Sequence, residues 1–103
     1  MLVPKLKSKI HSAIVTDANK DYEGSITICA ELMRKAEIKE YDMVHVNCKD
    51  TGVHWETYAI AGEKDEICLN GAAAHHFNIG DDVHILTYCY VENRELYVIP
   101  III

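Results

Sequence analysis

Seven short runs rich in β-branched residues, spread over a chain of only 103 residues, constrain this sequence more than any other feature. They occupy residues 10–16, 25–29, 42–46, 55–60, 66–69, 82–91 and 96–103. Valine, isoleucine, threonine and the aromatics suit the pleated, half-buried surface of a sheet. Only two segments turn toward helix. Residues 30–36 are good helix formers throughout, and the shorter 72–76 follows the turn signal Asn70-Gly71. No linker or low-complexity tract divides the chain, and its length suits one domain, residues 1–103. Many strands in so small a domain leave exposed edges unless the sheet closes. The expected fold class is therefore mainly β, a closed barrel with short helices.

Asp42-Met43-Val44-His45-Val46 is echoed 39 residues later by Asp81-Asp82-Val83-His84-Ile85. Two readings stay open: related halves of one barrel, or two independent strand starts. A net charge of −6 opposes phosphate backbones, so nucleic acid is not an expected partner. No stretch approaches the roughly 20 apolar residues of a membrane span, and the lysine-bearing N-terminus has no signal-like apolar run. The expectation is a cytoplasmic protein without a membrane partner. Cys29, Cys48, Cys68 and Cys89 form no C-x-x-C pair and are expected to be reduced, structural thiols. His45, His75, His76 and His84 show neither H-x-x-x-H spacing nor a carboxylate-backed set, so no metal site is expected.

The chain has three serines, and Ser25 alone follows a glycine. Gly24-Ser25 sits where a turn passes into a strand, within Tyr22-Glu23-Gly24-Ser25-Ile26-Thr27-Ile28. By itself the dipeptide is an ordinary turn. Its company is more telling: Lys9-Ile10-His11, Val15-Thr16-Asp17-Ala18, Thr57-Tyr58, Asn70-Gly71-Ala72-Ala73-Ala74-His75 and Gly80-Asp81 recur in this order. In these motifs the sequence resembles the aspartate 1-decarboxylase family over roughly residues 5 to 90.

The resemblance implies a double-psi β-barrel and a particular chemistry. The Ser25 hydroxyl would attack the Gly24 carbonyl, turning the amide into an ester. Elimination and hydrolysis would then leave two chains, 1–24 and 25–103, the second beginning with a pyruvoyl cofactor. Glycine at 24 is expected because a side chain would obstruct the attack and a strained backbone would favour it. The pyruvoyl carbonyl would form a Schiff base with a small amino-acid substrate and act as an electron sink for loss of CO₂. For aspartate the product is β-alanine, a pantothenate precursor.

Residue roles follow by the same resemblance. Tyr58, whose phenol carries a donor hydrogen, matches the proton donor to the α-carbon. Thr57 matches a residue that contacts substrate and assists processing. Gly71, Ala72 and Ala73 match a substrate-binding turn, and Asn70 an asparagine that holds the site. Lys9 is a candidate for attracting a substrate carboxylate, His11 for processing or orientation, and Tyr22 flanks the cleavage point. Relatives form homotetramers with active sites between subunits, and some need a maturation factor.

The sequence departs from the pattern at His54, where an arginine usually grips a substrate carboxylate. Histidine lacks the planar bidentate fork. Asn47 replaces a larger apolar residue, and Glu92-Asn93-Arg94-Glu95 stands in for a longer insertion. Two alternatives accompany the reading: a decarboxylase for another amino acid, and a non-catalytic barrel that never matures.

Overall fold

A computed structural model describes residues 1–92 and 98–103. Eight strands carry most of the chain: β1 (Leu2–Ile14), β2 (Asp17–Asn19), β3 (Ser25–Cys29), β4 (Met43–Cys48), β5 (His54–Gly62), β6 (Ile67–Asn70), β7 (Asp82–Glu92) and β8 (Ile101–Ile102). One helix, α1 (Ala30–Lys35), follows β3, and a 3₁₀ turn, Gly71–His75, follows β6. The mainly β expectation holds, and β3 occupies the predicted residues. Two elements differ. The first strand starts at Leu2 rather than at residue 10, and the three-residue β2 was not expected. The expected last strand lies partly outside the described residues, and Ile101–Ile102 is the portion seen. No helix among the described residues is long and apolar enough to cross a membrane.

The strands join in the order β2-β6-β3-β5-β4-β7-β1-β8. Most pairs are antiparallel, but β3–β5, β2–β6 and β1–β8 run parallel. This mixture in a small strand-dominated chain is consistent with a small β-barrel. The echoed segments are neighbours: β4 and β7 pair antiparallel, with Val46 opposite Ile85 and Asn47 opposite His84.

Alternation explains which residues face inward. In β4, Val44, Val46 and Cys48 are buried while Met43, His45 and Asn47 are not. In β7, Val83, Ile85 and Thr87 point in, and His84, Leu86 and Tyr88 point out. Ile10, Val15, Ile26, Ile28, Leu69 and Phe77 join Val44, Val46, Val83 and Ile85 in one cluster. Each fully buried side chain of this kind contributes about 1.5–3 kcal/mol relative to exposure. The register of β1 on β7 slips between Ile10 and Ala13, leaving both His11 and Ser12 exposed before Ala13 turns back into the core. Such a bulge re-aims side chains at a strand's surface.

The four cysteines are free, as expected. Three are buried and Cys89 is half-buried.

Candidate functional site

Ser25 opens β3 and is fully buried. Its antiparallel partner is Asn70, the last residue of β6. On the other side β3 runs parallel to β5, and the first pair is Ile26 with Ala59. Extending that register back by one residue sets Ser25 beside Tyr58, one strand spacing of about 4.8 Å away. Cross-strand partners share a face. Ser25 and Thr27 therefore share theirs with Tyr58 and Ile60 of β5 and with Cys68 and Asn70 of β6.

Asn70 occupies the position just before the 3₁₀ turn, where an asparagine side chain often caps the backbone, yet it makes no capping bond. Its amide is used elsewhere. Nδ2 donates to Ser25 Oγ at 2.8 Å and to Thr27 Oγ1 at 3.0 Å. Its Oδ1 in turn accepts from the Cys68 thiol at 3.2 Å. Burial pushes the Cys68 thiol up from its ordinary range, and the nearby negative charges of Asp17 and Glu66 act in the same direction. The sulfur thus keeps its proton and its role as donor, which fixes the Asn70 amide with Nδ2 toward the serine. Cys68 and Thr27 were missed in the sequence because an isolated cysteine or strand threonine carries no signal of its partners.

The contribution of Cys68 can be measured. Cys68→Ala removes one weak donor, worth about 0.5–1.5 kcal/mol, so any chemistry at Ser25 is expected to slow roughly three- to tenfold. Cys68→Ser keeps a donor hydrogen and should recover most of the rate. Equal rates in the two variants would dismiss the role.

The turn supplies the second constraint. Gly71 has φ +69°, and a Cβ there would lie 2.8 Å from Gly24 Cα, 2.9 Å from Gly24 N and 3.0 Å from the Tyr22 carbonyl oxygen. The chain around the Gly24–Ser25 bond therefore rests on a residue with no side chain. At Gly24 φ is not in the left-handed region, and a Cβ there would meet nothing within 4 Å outside its two chain neighbours. The close approach that needs glycine is at 71. Ala72 is exposed, whereas Ala73 is buried in the core cluster.

A cleft of about 460 Å³ adjoins this region, lined by Asp21, Tyr22, Glu23, Tyr41, Tyr58 and Ile60. Tyr41 lies against Tyr58 with ring centroids 6.2 Å apart. Ser25, Gly24, Asn70, Gly71, Tyr22, Tyr58 and the backbone of Thr57 are thus brought together. No hydrogen bond joins Thr57 to Gly24 among the described residues.

Three expected residues stand elsewhere. His54 is on the same outer face as Tyr58 but four residues back along β5, about 13 Å at the rise of a strand. Lys9 and His11 lie on β1, four strand positions from β3 in the sheet order. Lys9 is aligned through Leu86 and His45 with Glu56, so it shares a row with the His54 end of β5. The His11 ring packs on that of His84 at 4.8 Å. These residues form a second cluster carried by β1, β4, β5 and β7.

The two departures noted in the sequence turn out to be partners. His54 Nδ1 meets Asn47 Oδ1 at 2.5 Å across β4–β5, and His54 Nε2 lies 3.1 Å from Glu56 Oε2. The ligand atoms of His45, His54 and Glu56 all fall within 4.8 Å of one another. The sequence reading found no carboxylate-backed histidine set. The structure supplies one, assembled by strand register rather than by local spacing.

Comparison with known proteins gives a consistent result. The family described as aspartate decarboxylase matches the chain over residues 1–103. A protein of Clostridium kluyveri named aspartate 1-decarboxylase is 54% identical over 97 residues, covering 92% of this chain and 76% of that protein. One of the same name from Clostridium botulinum is 55% identical over 91 residues, covering 86% of this chain and 72% of that protein. One from Caldicellulosiruptor bescii is 50% identical over 99 residues, covering 94% and 77%.

Proposed function

Because the chain belongs to the aspartate decarboxylase family, we propose that it is a self-processing lyase that cuts itself between Gly24 and Ser25 and converts L-aspartate to β-alanine and CO₂ with a pyruvoyl group formed from Ser25. The observation that carries this reading is the Asn70 amide on the buried Ser25 hydroxyl, beside a Gly24 backbone that rests on Gly71.

The processing step uses only the chain's own atoms. Ser25 Oγ adds to the Gly24 carbonyl carbon, the C–N bond breaks, an ester forms, and the hydroxyl proton passes to the freed nitrogen. Removal of the Ser25 α-proton then expels the Gly24 carboxylate from Cβ. Water adds at Cα and ammonia leaves. Asn70 keeps Oγ in one orientation, which lowers the entropic cost of the attack. Thr57, next to Tyr58 on β5, carries the hydroxyl proposed to bond the Gly24 carbonyl. The residues present suit a small polar group at position 25, since the Asn70 amide already donates to the buried Ser25 Oγ there.

A pyruvoyl carbonyl supplies an electron sink for loss of the α-carboxylate. Tyr58, level with position 25 and on its face, is the proposed proton donor to the α-carbon. Tyr22 borders the same cleft, and exposed Ala72 leaves the turn open to substrate. Lys9, His11 and His54 are the proposed carboxylate-binding and orienting groups. Their distance from Ser25 within one chain supports a homotetramer in which a neighbouring subunit provides them. The double-psi form of the barrel belongs to the same reading, supported by parallel pairs set among antiparallel ones. Cytoplasmic residence completes it.

Intact-mass spectrometry tests the proposal, run with and without a cell extract as a source of any maturation factor. Two species are expected, residues 1–24 and 25–103, the second having gained water and lost ammonia, together with β-alanine formed from aspartate. A single uncut chain after long incubation with extract would overturn it. Cleavage without CO₂ release would retain the processing and discard aspartate as substrate. His54→Ala is expected to leave cleavage intact and raise the KM for aspartate about tenfold, the loss of one contact worth about 1.4 kcal/mol. An unchanged KM would remove His54 from substrate binding.

A further inference from the structure

The outer face of β4 and β5 holds a set of groups that the proposed reaction does not require together. Register places His45 opposite Glu56 and Asn47 opposite His54, a two-by-two grid of polar side chains. In that grid each ring nitrogen of His54 faces an oxygen acceptor: Asn47 Oδ1 at Nδ1 and Glu56 Oε2 at Nε2. With the Asn47 amide oxygen turned toward it, Nδ1 carries the hydrogen of this contact. Nε2 is then left with a lone pair, 3.1 Å from a carboxylate oxygen. Two electron-rich atoms at that distance need a positive particle between them, either a proton or a metal cation.

We propose that His45, His54 and Glu56 form a binding site for a late first-row divalent metal ion, with Zn²⁺ the best match. Two imidazoles and a carboxylate suit Zn²⁺, and three protein ligands leave one position for water. The ligand atoms lie within 4.8 Å of one another, and closing to the separation of about 3.4 Å around a tetrahedral ion needs only side-chain rotation. His54 and Glu56 are exposed and free to make that movement. The supporting shell is already present. Asn47 accepts the far N–H of His54, the arrangement that fixes the tautomer of a metal-binding histidine. The Tyr88 ring meets His45 edge-on at 4.9 Å and limits its swing. A groove of about 440 Å³ beside His45 and Glu56, bounded by Pro4, Met43, Tyr88 and Tyr90, gives the ion and its water access to solvent.

The site shares His54 with the proposed substrate contact, so it is tested by metal binding rather than by turnover. Purified protein, stripped with a chelator, is titrated with Co²⁺ followed by visible absorption and with Zn²⁺ followed by calorimetry. One ion per chain is expected, with the absorption of a tetrahedral Co²⁺ centre. His54→Gln should abolish binding, and His45→Ala and Glu56→Gln should each weaken it at least tenfold. Asn47→Leu, which removes no ligand, should weaken it by about ten- to a hundredfold through loss of the supporting bond. Circular dichroism of each variant checks that the strands persist, and Glu56→Gln, at an exposed position, is the variant least able to disturb them. Far less than one ion per chain would mean that a proton alone bridges His54 and Glu56, and the proposal would fail. It would fail equally if binding were the same in His45→Ala and Glu56→Gln as in the unaltered protein.

Discussion

Ser25→Ala is expected to yield a single chain of 103 residues that never divides and that releases no CO₂ from aspartate above background. The reason is chemical rather than structural. Alanine fits the same buried space, and β3 keeps its pairing with both β5 and β6. What disappears is the oxygen that would add to the Gly24 carbonyl, and with it the ester whose elimination would make the cofactor. Asn70 loses one of its two hydroxyl partners and keeps Thr27, so the stability cost should stay near 1 kcal/mol, the ordinary worth of one hydrogen bond. Thermal melting and intact-mass spectrometry on the same sample separate the effects. A folded Ser25→Ala chain that still splits at this bond would show that Ser25 is not the nucleophile. A fully processed protein that is inactive toward aspartate would point instead to a different amino acid. Asn70→Ala should fall between these extremes, folding and dividing slowly, because the nucleophile remains but loses the group that orients it.

Much of this was readable from residue order, and the exceptions have a common cause. The β-branched runs found the long strands because strand identity depends on local pattern and burial. The pair Gly24-Ser25 and the motif beginning at Asn70-Gly71 were visible as words in the sequence. Register, which no local pattern reports, makes Asn70 the partner of Ser25 and Tyr58 its neighbour. The same omission hid Cys68, whose thiol matters only through an amide two residues away that points across the sheet. It also hid the pairing of His54 with Asn47. Each was noted separately as a departure, yet they face one another across β4 and β5 and form one hydrogen-bonded unit. Lys9 and His11 read as site residues from the resemblance, and β7, β4 and β5 stand between β1 and β3 in the sheet order. The three-residue β2 escaped because its residues, Asp17, Ala18 and Asn19, have poor strand propensity and are held by pairing with β6.

The close contact between Gly71 and Gly24 leads to the second large effect. Gly71→Ala should slow division of the chain by about a hundredfold, whereas Gly24→Ala should change it by less than tenfold. At Gly71 the backbone has φ +69°, which costs an alanine roughly 1–2 kcal/mol. That penalty alone would lower the melting temperature and leave the chemistry alone. The contacts decide the chemistry. A Cβ at 71 would sit 2.8 Å from Gly24 Cα and 3.0 Å from the Tyr22 carbonyl oxygen, all backbone atoms without a rotamer to escape into. The segment Tyr22–Gly24 must therefore shift away, carrying the carbonyl that Ser25 attacks. A displacement near 1 Å at a reacting centre can cost about a hundredfold. At Gly24 the added carbon meets nothing within 4 Å outside Glu23 and Ser25, so the surrounding fold need not move. A mass-spectrometric time course for the two variants, with melting curves beside it, distinguishes strain from misalignment. If Gly71→Ala lowers the melting temperature while dividing at the normal rate, the contact between Gly71 and Gly24 only stabilises the fold. If Gly24→Ala is the slower of the two, the demand for glycine lies in the reacting peptide itself.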